Sequence, residues 1–256
     1  MLSLWQVLLL SLAIYYGVLV PAWLYRKCTW TKQIAITELT LETLPPKVKE
    51  HFQSKEKELR TLGFLPNSLL LWDYGGTGSV IYVWHFEHSE HEEVARLEAV
   101  VGLDRNSAPY CFEGVFARFQ SGQSIELVND DYYCFWARKS KEQVYVLDTE
   151  QSLDSLYTLH QFACQSHLQR FPDDLLVRRT WTVEERRAAS MEISLDQVQA
   201  GILRYEPTTE AYRLTIPGAY RLMLFTYAPF SEIIKAEVRQ RAEALKEAYQ
   251  KSKAIK

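Results

Sequence analysis

Apolar side chains fill the chain from Leu2 to Tyr25. No charged residue occurs among the first 25, and Arg26, Lys27 and Lys32 follow at once. As a helix the run would be about 36 Å long, against about 30 Å of bilayer hydrocarbon. Trp5 near one end, and Trp23, Tyr25 and Trp30 near the other, stand where interfacial aromatics belong. The pattern predicts a transmembrane helix. A cleaved signal peptide fits less well: there is no basic leader, the apolar run is too long, and Val20-Pro21-Ala22 is the nearest approach to a cleavage site. Arg26-Lys27 is also the wrong flank for a lipid-modified Cys28. Because the nearby basic residues follow the span, the bulk of the chain is expected on the cytoplasmic side of a single-pass protein.

Beyond the span the pattern becomes that of an α+β protein. Lys47–Leu62 runs without a breaker to Gly63, with Thr43 as a possible cap, Pro45-Pro46 in the first turn and a sparse apolar stripe of Val48, Phe52, Leu59 and Leu62. Alternation then predicts strands at Ser68–Tyr74, Ser79–Glu87, Val94–Gly102, Tyr110–Gln120, Ser124–Asn129, Tyr132–Arg138 and Gln143–Leu147. Short turns such as Gly75–Gly78 and Ser121–Gln123 join antiparallel neighbours, so an antiparallel sheet of five to seven strands is expected. Leu153–Phe171 reads as a helix. Thr182-Val183-Glu184-Glu185 and Ser194-Leu195-Asp196-Gln197 are capping-box patterns, implying two short helices that meet near Ser194. Ile202–Tyr205 and Ala211–Ile216 form a hairpin around Pro207–Glu210. Pro217-Gly218 breaks the pattern before an apolar run, Ala219–Tyr227. A final amphipathic helix after Pro229 carries Ile234, Val238, Ala242, Leu245 and Tyr249 on one stripe, supported by Glu237/Arg241 and Glu247/Lys251.

The implied organisation is an anchor at 1–25, a juxtamembrane linker at 26–44, an α+β sheet domain at 45–172, and a helical subdomain with a wing-like hairpin and long helix at 173–256. The aromatic content of 13% excludes a disordered tail, and a net charge of −3 gives no reason to expect nucleic acid. Cys28, Cys111, Cys134 and Cys164 form no C-x-x-C pair, which leaves neither a zinc knuckle nor a thioredoxin-like motif. In the cytosol they are expected as reduced thiols.

Two segments resemble parts of uncharacterised bacterial single-span membrane proteins. One is Leu59-Arg60-Thr61-Leu62-Gly63-Phe64. The other is Gly201–Tyr205 with Tyr212-Arg213-Leu214-Thr215-Ile216-Pro217-Gly218-Ala219. The resemblance implies a family of unknown function and carries no catalytic residues. The second segment is also similar to the end of a winged helix. A DNA-reading wing needs a basic field, yet 173–228 sets seven arginines (178, 179, 186, 187, 204, 213 and 221) against eight acids. That balance argues against DNA.

His160, Cys164 and His167 are the strongest candidates for chemistry. At i, i+4 and i+7 they share one helical face, suited to a metal or a Cys–His pair. The same face carries Leu153, Leu156, Tyr157, Leu168 and Phe171, so packing is the simpler reading, and no fourth metal ligand is evident. His85, His88 and His91, among Glu87, Glu90, Glu92 and Glu93, form a weaker metal candidate. Strand alternation points His85 and His88 to opposite faces. Gly75-Gly76-Thr77-Gly78-Ser79 lacks the lysine and following helix of a phosphate cradle. Asn129-Asp130-Asp131 reads as a turn before the aromatic strand Tyr132–Trp136, itself a possible contact surface. No hydrolase or metalloprotease motif is present, and no cofactor is called for. The expectation is a membrane-anchored binding or scaffold module. It meets the bilayer through residues 2–25 and a protein partner at the membrane. The alternative is a membrane enzyme or metal-dependent sensor built on His160, Cys164 and His167.

Overall fold

A computed structural model describes residues 3–31, 35–73, 79–102, 108–129, 142–147, 152–177, 183–227 and 230–254. The expected Gly75–Gly78 turn, the Tyr132–Arg138 strand, Asp130, Asp131, Cys134, Arg178, Arg179, Thr182 and Pro229 lie outside them.

The apolar N-terminus is helical: α1 (Leu4–Ile14), a π turn (Tyr15–Leu19) and α2 (Val20–Lys27). Ser3 and Gln6 close a capping box at its start. Trp5–Lys27, 23 residues, is long and apolar enough to cross a membrane. Pro21 explains the π turn. It has no N–H to offer the Gly17 carbonyl four residues back, so the ladder widens locally and Val20 bonds instead to Tyr15.

Seven strands make the main sheet, in the order β2 (Ala35–Glu38), β3 (Phe64–Asp73), β4 (Ser79–His88), β5 (Val94–Gly102), β6 (Tyr110–Arg118), β7 (Ser124–Val128) and β8 (Glu142–Val146). All pairs are antiparallel except β7 with β8, which is parallel. The 13-residue link between those two is long enough for the crossover that parallel pairing requires. Alternate residues Ala95, Leu97 and Ala99 on β5, with Val115 and Ala117 on β6, face the main core. It is closed by α3 (Pro46–Thr61), α4 (Leu153–Arg170) and α7 (Phe230–Ala254) through Val48, Phe52, Leu59, Leu156, Cys164 and Ala242. The opposite face carries Arg96 between Glu98 (2.6 Å) and Glu126 (2.5 Å).

Several boundaries differ from the sequence reading for local reasons. Pro45, rather than Thr43, holds the N-cap position of α3, and the Thr43 hydroxyl donates to the Thr40 carbonyl at 2.7 Å. Val183–Gln199 is one helix, α5, with Ser194 inside it. The run after the hairpin is a helix, α6 (Ile216–Thr226). Thr215 caps it by accepting from the Gly218 amide at 3.0 Å, and Pro217 sits in its first turn, where it needs no N–H partner.

The second sheet places β1 (Thr29–Thr31) beside β10 (Ala211–Leu214), which pairs with β9 (Leu203–Glu206). Thr29 lies opposite Arg213, so the chain enters this sheet directly after α2. A smaller core forms here from Val20, Leu24, Ile202, Leu203, Tyr212, Leu214, Ala219 and Met223. Both segments with family resemblance have structural explanations. Gly63 ends α3 at φ +89 beneath the His88 ring, with Leu59 and Phe64 fully buried on either side. Gly218 lets α6 start against the Ile202 backbone, where a Cβ would overlap the Ile202 carbonyl.

Gly218→Ala is therefore expected to cost about 3 kcal/mol, because the obstructing atom is backbone. Gly17→Ala, with nothing within 4 Å, is expected to stay within about 0.5 kcal/mol of the parent. Denaturant unfolding of the detergent-solubilised chain would separate the two.

Candidate functional site

Ser152 caps α4 by accepting from the Ser155 amide. The inward face of the helix then presents Leu153, Leu156, Tyr157, His160, Ala163, Cys164 and His167 against β6 and β7. His160 is fully buried, and Cys164 and His167 are nearly so. Of the three, only His160 and Cys164 come together: the Cys164 sulfur lies 3.7 Å from Nε2 and 3.8 Å from Nδ1 of His160.

The partner of His160 is Glu93, which the sequence reading groups with His85, His88 and His91. It stands just before β5, with the same parity as Ala95, Leu97 and Ala99, and so turns into the core. Its Oε1 is 3.1 Å from His160 Nδ1, and its Oε2 accepts from the Tyr157 hydroxyl at 3.1 Å. His160 Nε2 donates to the Ile125 carbonyl at 3.3 Å. Carboxylate and carbonyl both only accept, so both ring nitrogens donate and His160 is an imidazolium.

The electrostatics agree. Burial opposes a charge on His160, but the Cys164 sulfur and the Glu93 carboxylate outweigh it and raise its pKa to about 10. Burial likewise pushes Glu93 up, and hydrogen bonds from His160 and Tyr157 overcome this to hold it below the ordinary value. Burial and the adjacent Glu93 push Tyr157 strongly upward. The ligand atoms of Glu93, His160 and Cys164 all lie within 4.8 Å of one another, the spacing of a metal site. A metal would have to displace a proton from His160 to gain an imidazole lone pair.

His167 points elsewhere. Its Nε2 donates to Asp174 at 2.8 Å, and Asp174 also accepts from the Ser121 amide and hydroxyl, each at 2.7 Å. Burial would raise Asp174, but His167 and Ser121 hold its pKa down. The result is a clamp between the end of α4 and the turn after β6, with the His167 ring against Phe119 and Phe171.

The second histidine group separates too. His85 is buried on the sheet face opposite the main core, paired in register with Arg96. His88 Nδ1 accepts from the amides of Glu90 and His91 at 3.1 Å, while Nε2 donates to the Leu62 carbonyl at 3.0 Å. That pattern makes it neutral, and burial followed by the neighbouring His91 lowers its pKa. His91 stacks on it at 4.4 Å. Asn129 bonds to Glu113 through both its side chain and the Glu113 amide. Ser79 opens β4, so a strand and not a helix follows the Gly75–Gly78 segment. Near the hairpin, Arg204 stacks over Tyr25 and Arg213 pairs with Glu206. Cys28, Cys111 and Cys164 are free thiols.

Glu93→Gln leaves a buried cation without its partner and is expected to cost about 3–5 kcal/mol. Glu93→Leu/His160→Leu should recover much of that loss. The pH dependence follows from the shifts. Glu93, lowered from 4.5, contributes above pH 4.5 and loses its contribution on acidification. His160, raised from 6.5, contributes fully below pH 6.5 and loses its contribution as pH rises through about 10. Unfolding free energies measured against pH should show this pair's stabilisation greatest between pH 4.5 and 6.5, and absent from the double variant.

In comparisons with known proteins, the chain matches no family model, no curated protein and no solved structure.

Proposed function

We propose that this chain is a single-pass membrane protein whose cytosolic α+β body is a non-catalytic binding or scaffold module. One contrast carries the reading. The side chains best suited to chemistry are turned inward and bonded to each other, as in Glu93–His160–Tyr157 and His167–Asp174–Ser121. The apolar helix, by contrast, leaves Trp5, Leu9, Leu10, Val18 and Leu19 more than half exposed. Contiguous apolar surface of that kind is a contact surface, and its length and composition suit a bilayer. Arg26 and Lys27 after the span favour the cytosolic orientation. Holding the body at the membrane would raise its effective concentration for a protein partner there.

The convergence of Glu93, His160 and Cys164 supports the second reading, a membrane enzyme or metal-dependent sensor. It requires the imidazolium to release a proton to solvent as a metal takes its place.

Two measurements test the proposal. The full chain is expected to stay with membranes after alkaline carbonate extraction. A chain beginning at Leu19 keeps Val20 and Leu24 and is expected to be released and folded; release of the full chain would refute the anchor. Metal analysis of the detergent-solubilised protein is expected to show no stoichiometric metal. A metal that is present in the parent and lost from His160→Ala would replace the scaffold reading with the sensor.

A further inference from the structure

The anchor is shorter than its sequence makes it, and a second helix lies beside its lower end. Trp5–Tyr15 stands clear of the body, Tyr16 packs on the edge of the small core, and Val20 is the first buried residue of the apolar run. The free part rises about 16 Å, less than the roughly 30 Å of a hydrocarbon core. To be crossed by this helix, the bilayer has to reach down over about four residues of α2, to the level of Trp23.

At that level α2 is packed against α6. Two contacts fix the arrangement. Thr29, after α2, lies opposite Arg213, before α6. The Tyr220 hydroxyl in α6 donates to the Gly17 carbonyl, the acceptor that Pro21 cannot serve. The two helices are therefore antiparallel, and the start of α6 spans the height between Thr29 and Gly17.

The outward face of this helix is apolar. Ala219 and Met223 are buried against the small core, whereas Ile216 and Tyr220, also four residues apart, are 64% and 39% exposed. Ile233, in α7, which packs against α6, is 68% exposed. Arg221 is the one charged residue in α6, and it is partly buried.

We infer that α6 is a lipid-contacting helix: its Ile216/Tyr220 face is covered by the same bilayer leaflet that surrounds α2. The inference rests on the proposed anchor and adds a second lipid contact to it. The occupant is argued from height and continuity. Tyr220 touches the apolar helix between its exposed residues Tyr15 and Val18, so a bilayer deep enough for that helix also meets α6.

The test uses the full chain in vesicles of phosphatidylcholine and phosphatidylglycerol, with photoreactive benzoylphenylalanine placed singly at Leu10, Ile216 or Leu65. All three positions are exposed, so the probe disturbs no core. Lipid adducts at Leu10 and Ile216, with Leu65 at background, are the expected result. Adducts at Leu10 alone overturn the lipid contact of α6 and leave the anchor standing. Background at Leu10 refutes the anchor, and this inference with it. Crosslinks from Ile216 to a second copy of the chain, in place of lipid, would make the face a dimer contact and also overturn the inference.

Discussion

His160 occupies the point where α4, the start of β5 and the backbone of β7 meet. One ring nitrogen holds Glu93 and the other holds the Ile125 carbonyl, so a single side chain joins the helix to two strands of the sheet. A charged pair in a dry interior is a costly way to make such a joint, because both ions give up water. Its compensation is directionality. Leucine at this point would fill volume but fix no angle, whereas two N–H bonds and the Tyr157 hydroxyl set the rotation of α4. The apolar residues around it, Leu156, Leu97 and Leu127, can then pack in one arrangement.

The same logic appears on a smaller scale where the apolar helix meets the body. Pro21 removes one backbone bond, a π turn absorbs the change in pitch, and a hydroxyl from α6 supplies a donor to the carbonyl concerned. Val20 and Leu24 then serve two structures at once, as residues of the apolar helix and as a third wall of the small core. Gly218 allows the close start of α6 that makes this packing possible.

Much of this was legible in the chain. Strands β3 to β7 announce themselves by alternation and short turns. Gly63 marks a helix end through local chemistry, and the i,i+4 spacing of His160 and Cys164 placed them on one face, where they meet. What was not legible was non-local. β1 and β2 are three and four residues long and exist only because distant strands accept them. β8 runs parallel because of a long connection, which no local periodicity records. Pro217-Gly218 reads as a break and is in fact the opening of α6, because proline suits a first helical turn and Thr215 caps it. Glu93 lies 67 residues from His160. Its inward parity with Ala95 and Leu97 was the available signal, masked by the glutamates and histidines around it. His167 shares a helical face with His160 but lies nearly two turns further on, within reach of a different partner.

One residue, Cys28, separates α2 from β1, and β1 is already hydrogen-bonded to β10. A domain on a flexible leash sweeps a hemisphere, and it loses that freedom each time it binds. Here the rod runs straight into the sheet, so the small β-sheet keeps its bearing relative to the helix axis. With the proposed anchor in a bilayer, the body would turn chiefly about the membrane normal, like a vane on a shaft. A surface carried this way would meet a partner at one height and one inclination, with little orientational entropy left to lose on contact.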